Sequence, residues 1–202
     1  MRLISPPPNP VPPRLVGAET VWDDLMIPGT SVKTTGNSPP ELAGGFAGDN
    51  TLDLYVFDGN NTLEQVFFTI QLPHHWKQGS TIYPHVHCSP TSTNTGDTEE
   101  RVVRFGFEYT WANIGATFGA TNTLNLDTDP FVPNTHQWAH LLAKNAAGIA
   151  GTGKTLSSML VCRLFRNPAD AADTYPQDVA FLQFDVHYEI DSLGSEGEYS
   201  KA

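Results

Sequence analysis

Period-two alternation is the feature that most narrows what this chain can fold into. In LEQVFFTIQL, Val66, Phe68, Ile70 and Leu72 fall on one face. In TIYPHVHC, Ile82, Val86 and Cys88 share a face, with Tyr83, His85 and His87 on the other. Between Arg101 and Trp111, Val103, Phe105, Phe107, Tyr109 and Trp111 line up. Between Val179 and Ile190, Ala180, Leu182, Phe184, Val186, Tyr188 and Ile190 do the same. Alternation of aromatic and β-branched residues with polar ones is the pattern of a half-buried strand, because successive side chains leave a strand on opposite sides. Leu52 to Phe57 and Ser157 to Phe165 read as further strands, Thr117 to Leu126 and His136 to Ala143 as weaker ones.

Turn residues separate these runs: Asp58-Gly59-Asn60-Asn61, Gly79-Ser80, Thr95-Gly96-Asp97 and Asn167-Pro168. No stretch carries a strong helical stripe, although Ala139 to Ala150 has the propensity for a short helix. About eight strands without a βαβ rhythm predict an all-β protein, an antiparallel β-sandwich of jelly-roll type. The expected division is an extended arm with loops over 1–50 and the jelly-roll domain over 51–202.

The first 14 residues include Pro6, Pro7, Pro8, Pro10, Pro12 and Pro13. Such a run cannot join a ladder or a helix and favours extended polyproline II. Two readings stand: a loose leader, or a stiff arm that lies on a neighbouring subunit at low entropic cost. From Val32 to Asn50 the chain is rich in Gly, Ser, Thr and Pro and reads as loop.

The charge balance excludes one class of partner. Net charge is -11, with 22 Asp and Glu against 11 Lys and Arg, and no basic cluster compensates. Nucleic acid is therefore not expected as a partner. No apolar run reaches the roughly 18 residues of a membrane span, and the N-terminus lacks a signal peptide's apolar region. Synthesis in the cytoplasm without export by that route is the expectation. Cys88 and Cys162 lie on apolar-patterned segments, where a buried free thiol is the ordinary state; a bridge between them stays open.

Gly148 to Thr155, G-I-A-G-T-G-K-T, satisfies the phosphate-loop pattern G-x-x-x-x-G-K-[ST]. That chemistry needs a buried strand before the glycines and a helix after them. The leading HLLAKNAA is a poor buried strand, the following TLSSMLVCRLFR alternates like a strand, and only 47 residues follow Thr155. The run is expected to be a flexible turn over Gly148 to Gly153, with Lys154-Thr155 entering a strand that ends near Arg166.

The stretch from Gly79 to His87 fits G-x5-H-x-H, which resembles the opening of the cupin metal motif. Residues i and i+2 share a strand face, so both imidazoles can meet one ion. His187 is a candidate third ligand, and its two-spaced neighbours Asp185 and Glu189 could supply more. The resemblance then departs: Thr91 and Ser92 stand where the cupin glutamate belongs, and the second cupin motif is missing. If Ile82, Val86 and Cys88 face the core, the histidines face outwards, away from a cupin's interior. The competing reading is a polar strand face with no metal. His74-His75-Trp76, and His136, Trp138 and His140, are aromatic-polar groups suited to stacking on sugars or packing against protein.

Five segments together resemble a family of tailed-bacteriophage virion structural proteins: Val21-Trp22-Asp23-Asp24-Leu25, VFFTIQLPHHWKQGSTIYPHVH, FEYTWANIGATF, GTGKTLSSMLVCRLFRNP and HYEIDSLGSEGE. The resemblance spans Val21 to about Glu198. It implies a virion component assembled in the host cytoplasm, with no catalytic residues, no enzymatic activity and no cofactor. Within that setting the expectation is a capsid decoration, or cement, protein: a homotrimer whose partners are the major capsid protein and its own copies. The expected contacts are Pro6, Pro7, Pro8, Pro10, Pro12, Pro13, Arg14 and Trp22, with the loop from Val32 to Gly48. The alternatives are a tail, fibre or receptor-binding component that recognises a host glycan through loops such as His74-His75-Trp76, and a cupin-like metal protein using His85, His87 and His187.

Overall fold

Each alternating run becomes a strand because its apolar face has a core to cover. A computed structural model describes residues 20–48, 51–60, 62–91, 96–199 and 201. Its strands are β1 (Val21–Pro28), β2 (Glu41–Ala43), β3 (Leu54–Phe57), β4 (Glu64–Gln71), β5 (Ile82–Pro90), β6 (Arg104–Ala112), β7 (Asn122–Thr128), β8 (Leu141–Lys144), β9 (Met159–Arg166) and β10 (Val179–Ile190). They form one antiparallel sheet in the order β2-β3-β10-β5-β8-β7-β6-β9-β4, and β1 pairs with β10 as well. The expected all-β, antiparallel class is what the chain adopts.

The sheet curls so that its β4 side faces β10 across the interior. Phe68 on β4 and Phe107 on β6 both pack on Phe184 of β10, ring centroids 4.8 Å apart in each case. The chain leaving β1 turns through Gly29–Ser31 and pairs Lys33 with Phe67 of β4 by two backbone hydrogen bonds, 2.9 and 2.8 Å. Past β4, Trp76 bridges to Ile190, and the Lys77 N–H donates to the Glu189 carbonyl at 2.7 Å. Both connections therefore run between the β10 side and the β4 side of the sheet and cover the hydrophobic interior.

The inner face carries the predicted alternation. Val66 and Ile70 of β4, Phe105 and Phe107 of β6, and Ile82, Val86 and Cys88 of β5 are buried. Fully burying each large apolar side chain contributes about 1.5–3 kcal/mol. On β9 the buried row is Leu160, Cys162, Leu164 and Arg166, while Met159 and Val161 are exposed. Cys88 and Cys162 are free buried thiols; burial pushes both up, Cys88 to about 12.

On β10 the structure corrects the predicted phase. Phe181 and Phe184, three residues apart, are both in the core. A bulge makes this possible: Phe181 pairs with Cys88 and Gln183 with His87, so Leu182 is the extra residue. Ala180 and Leu182 thus do not continue the Phe184, Val186, Tyr188 row.

Arg166 is fully buried at the end of β9 and forms a bidentate pair with buried Asp173, at 2.8 and 3.1 Å. It also donates to the carbonyls of Gln177 (2.7 Å) and Tyr175 (2.5 Å). One guanidinium so fixes the loop from 167 to 178 against the end of β9.

Three further expectations change. Ala139 to Ala150 is not helical: Leu141–Lys144 is β8, because its edge completes β5 and β7. His136 to Ala143 is not a single strand, since Pro133–Thr135 is a 3-10 turn and Trp138 has φ of 58°. Within the stretch expected as arm and loops, Val21–Pro28 and Glu41–Ala43 are strands of the sheet.

Candidate functional site

The phosphate-loop match lies in a loop where Ile149, Lys154 and Thr155 already have their donors committed. Ile149 is buried and pairs with Ile82 across two backbone bonds, so the segment is pinned rather than free. Gly151 sits against the Trp76 ring and the Ser80 carbonyl, where a Cβ would collide. The Lys154 N–H donates to the Gly151 carbonyl, and the Thr155 N–H to Asn113 Oδ1 at 3.0 Å. The Lys154 ammonium donates to the Trp111 carbonyl at 2.7 Å and lies over that indole. No helix follows; the chain passes through a turn and enters β9 only at Met159. Phosphate cradling needs free N–H groups at a helix start, and here both key amides and the lysine serve the fold.

The outer face of β1, β10, β5 and the β8 edge gathers a polar cluster. Strand pairing sets Asp24 opposite His187, His187 opposite Tyr83, Asp185 opposite His85 and Gln183 opposite His87. His85 and His87 point outward, as their buried neighbours Val86 and Cys88 require. Asp185 reaches both: its Oδ2 lies 3.0 Å from His87 Nε2 and 3.5 Å from His85 Nε2. The same carboxylate accepts from Gln183 Nε2 through Oδ1 at 2.6 Å. His87 Nδ1 is 2.6 Å from His140 Nε2, and His85 Nδ1 is 3.3 Å from the Tyr83 carbonyl.

His187, expected as the third ligand, is not part of this convergence. Its Nδ1 pairs with Asp24 Oδ1 at 2.8 Å, and its ring stacks on Trp22 at 4.9 Å. Asp185, its two-spaced neighbour, takes the place instead, because it is the residue across from His85.

The cluster separates its two imidazoles. Burial opposes charge on His85, but the Asp185 hydrogen bond and charge outweigh it and hold its pKa above the ordinary value. Burial also acts on His87; with the neighbouring His85 and His140 it prevails over Asp185, and the pKa falls. Burial would raise Asp185, yet bonds from His85 and Gln183 and both imidazole charges keep it below the usual carboxylate range.

The loops expected to meet a glycan are mostly used inside the fold. Trp76 is fully buried, its indole N–H without a partner among the described residues. His74 sits between Ser157 Oγ (2.7 Å) and the Ser195 carbonyl (2.8 Å), and His75 Nε2 meets the Tyr188 hydroxyl at 2.6 Å. His136, Trp138 and His140 do not share a face: His136 packs on Phe131, Trp138 on Phe46, and His140 on His87. Phe46 and Trp138 wall a pocket of about 150 Å³ with Leu54, Val56 and Asp178. That is small beside the roughly 300–1,000 Å³ of ordinary ligand sites.

Of the expected arm contacts, Pro6, Pro7, Pro8, Pro10, Pro12, Pro13 and Arg14 lie outside the described residues. Trp22 lies within them. It is 40% exposed on β1, between His187 and the edge of the Tyr83 ring. Comparison with protein-family models, with curated proteins and with solved structures gave no match.

Proposed function

We propose that this chain is a non-enzymatic structural component of a bacteriophage virion, a decoration protein that binds the capsid surface as a trimer. The observation that best supports it is the position of β1. Residues 1–19 join the fold at a strand that borders β10 and exposes Val21, Trp22 and Met26. The prolines of the segment attached there suit a stiff strap. Resemblance of five segments to phage structural proteins supports the same reading, as does a net charge of -11, which suits a basic protein surface. Kinship with the jelly rolls, a finer assignment than the curled antiparallel sheet, belongs to this proposal too.

The mechanism is mechanical. The β body rests on the shell, and the N-terminal segment with the loop from Val32 to Gly48 adds interface area across neighbouring subunits. Removal of residues 1–19 tests it by co-sedimentation with capsids of the encoding phage. The truncated protein is expected to stay folded and to lose capsid binding at least tenfold. Undiminished binding would refute the strap. Localising the full-length chain in intact particles tests the wider assignment, and a position on a tail fibre instead of the capsid lattice would overturn it.

A further inference from the structure

We propose that His85, His87 and Asp185 form a site for a single divalent transition-metal ion of the zinc class on the outer face of the sheet. The inference does not depend on the virion reading.

Three ligand atoms converge, all within 4.8 Å of one another. A metal bound at about 2.1 Å needs ligand atoms about 3.0–3.4 Å apart. His87 Nε2 and Asp185 Oδ2 are 3.0 Å apart, and His85 Nε2 and the same oxygen 3.5 Å. The remaining spacing, within 4.8 Å, has to close to the same range by side-chain rotation. Two imidazoles and one carboxylate match the preferences of zinc, cobalt, nickel and ferrous iron, and disfavour calcium and magnesium, which take mainly oxygen.

The supporting shell is the second observation, and it is independent of the first. A ligating histidine usually donates its other ring N–H to a carbonyl, carboxylate or similar acceptor, which fixes the tautomer. His85 has the Tyr83 carbonyl at its Nδ1, and His87 has His140 Nε2 at its Nδ1. Nε2 of each ring faces Asp185 Oδ2, so an ion bound there takes the place of the Nε2 proton and leaves Nδ1–H to these partners. Asp185 has its second oxygen held by Gln183, which leaves Oδ2 for the ion. The Asp185 side chain is 6% exposed and supplies charge out of reach of most solvent. Lys144, opposite His85, is bound to Asp129 at 3.1 Å.

The ligands come from two strands, so the ion cross-links β5 and β10 beside β1. Three protein ligands leave at least one coordination position for water or for a donor from another molecule.

The test uses tag-free full-length protein stripped with chelator, titrated with Zn(II) by calorimetry and with Co(II) by visible absorption. The expected result is one ion per chain, with Co(II) bands of a mixed nitrogen-oxygen site. His87→Gln and Asp185→Asn should each weaken binding at least tenfold, and His140→Ala by a smaller factor. His187→Gln should leave the affinity within twofold. Thermal unfolding without metal checks each variant's fold, and the wild-type stoichiometry and cobalt spectrum stand without any variant. No stoichiometric binding by the wild type would overturn the proposal. Equal loss in His187→Gln, or none in folded His87→Gln and Asp185→Asn, would overturn it as well.

Discussion

Arg166 and Asp173 show how much a single pair of residues decides. Both are fully buried, and the guanidinium also satisfies the carbonyls of Tyr175 and Gln177. Asp173→Ala leaves an uncompensated buried charge and is expected to cost about 3–5 kcal/mol in urea unfolding. Adding Arg166→Met should recover part of that loss only, since the two carbonyls then lose their donor. Gly106 is a second such position. It lies under the Phe165 ring, which occupies the space a Cβ would need. Gly106→Ala is expected to destabilise by about 1–3 kcal/mol through overpacking. In a Phe165→Ala background the same change should cost less than half as much, and the double-mutant cycle measures the coupling. Neither pairing could be read from sequence, where Arg166 is one more charged residue after an apolar run.

Among the elements, the strands with long regular alternation were legible: β4, β5 and β6 follow their expected faces, and β9 falls in a run expected as a strand. β8 was obscured by the alanines around it, whose helix propensity is overridden by the open edges of β5 and β7. β1 was hidden because a strand at the sheet border, mostly exposed, needs no clean alternation. The bulge in β10 explains the partial success at the histidine cluster. His85 and His87 were visible as H-x-H. Spacing along β10 placed Asp185, His187 and Glu189 on one face but could not say which of them stands opposite His85. Register is a property of two strands, and the extra residue Leu182 resets it. β4 adds a pH prediction. Burial raises the Glu64 carboxyl above its ordinary pKa, against the Asp58 N–H that donates to it. Ionisation therefore costs more folded than unfolded, and the wild type loses stability as pH rises through that window. Compared with Glu64→Gln, its urea midpoint should hold a constant offset below about pH 4 and fall behind as pH rises above it.

At the scale of the whole molecule, the border between N-terminal segment and body lies nearer Val21 than residue 50. β1 covers one side of β10 along eight paired residues, and its continuation to Lys33 reaches β4. Cutting before Thr20 should change the thermal midpoint by no more than a degree or two. Cutting after Pro28 strips the β10 border, exposes the core beside partly buried Leu25 and Ile27, and should lower the midpoint by at least ten degrees. Circular dichroism melts of the two truncations separate these outcomes.

The β1–β10 ladder also has a mechanical meaning. Tension on the residues before Val21, directed along the strand, loads its hydrogen bonds together rather than one after another. The far end of β1 is held by the Lys33–Phe67 pairing on the opposite side of the sheet. A pull of that kind is shared by both sides of the sheet, so the body resists it in shear and would yield far sooner to a pull that peels β1 sideways.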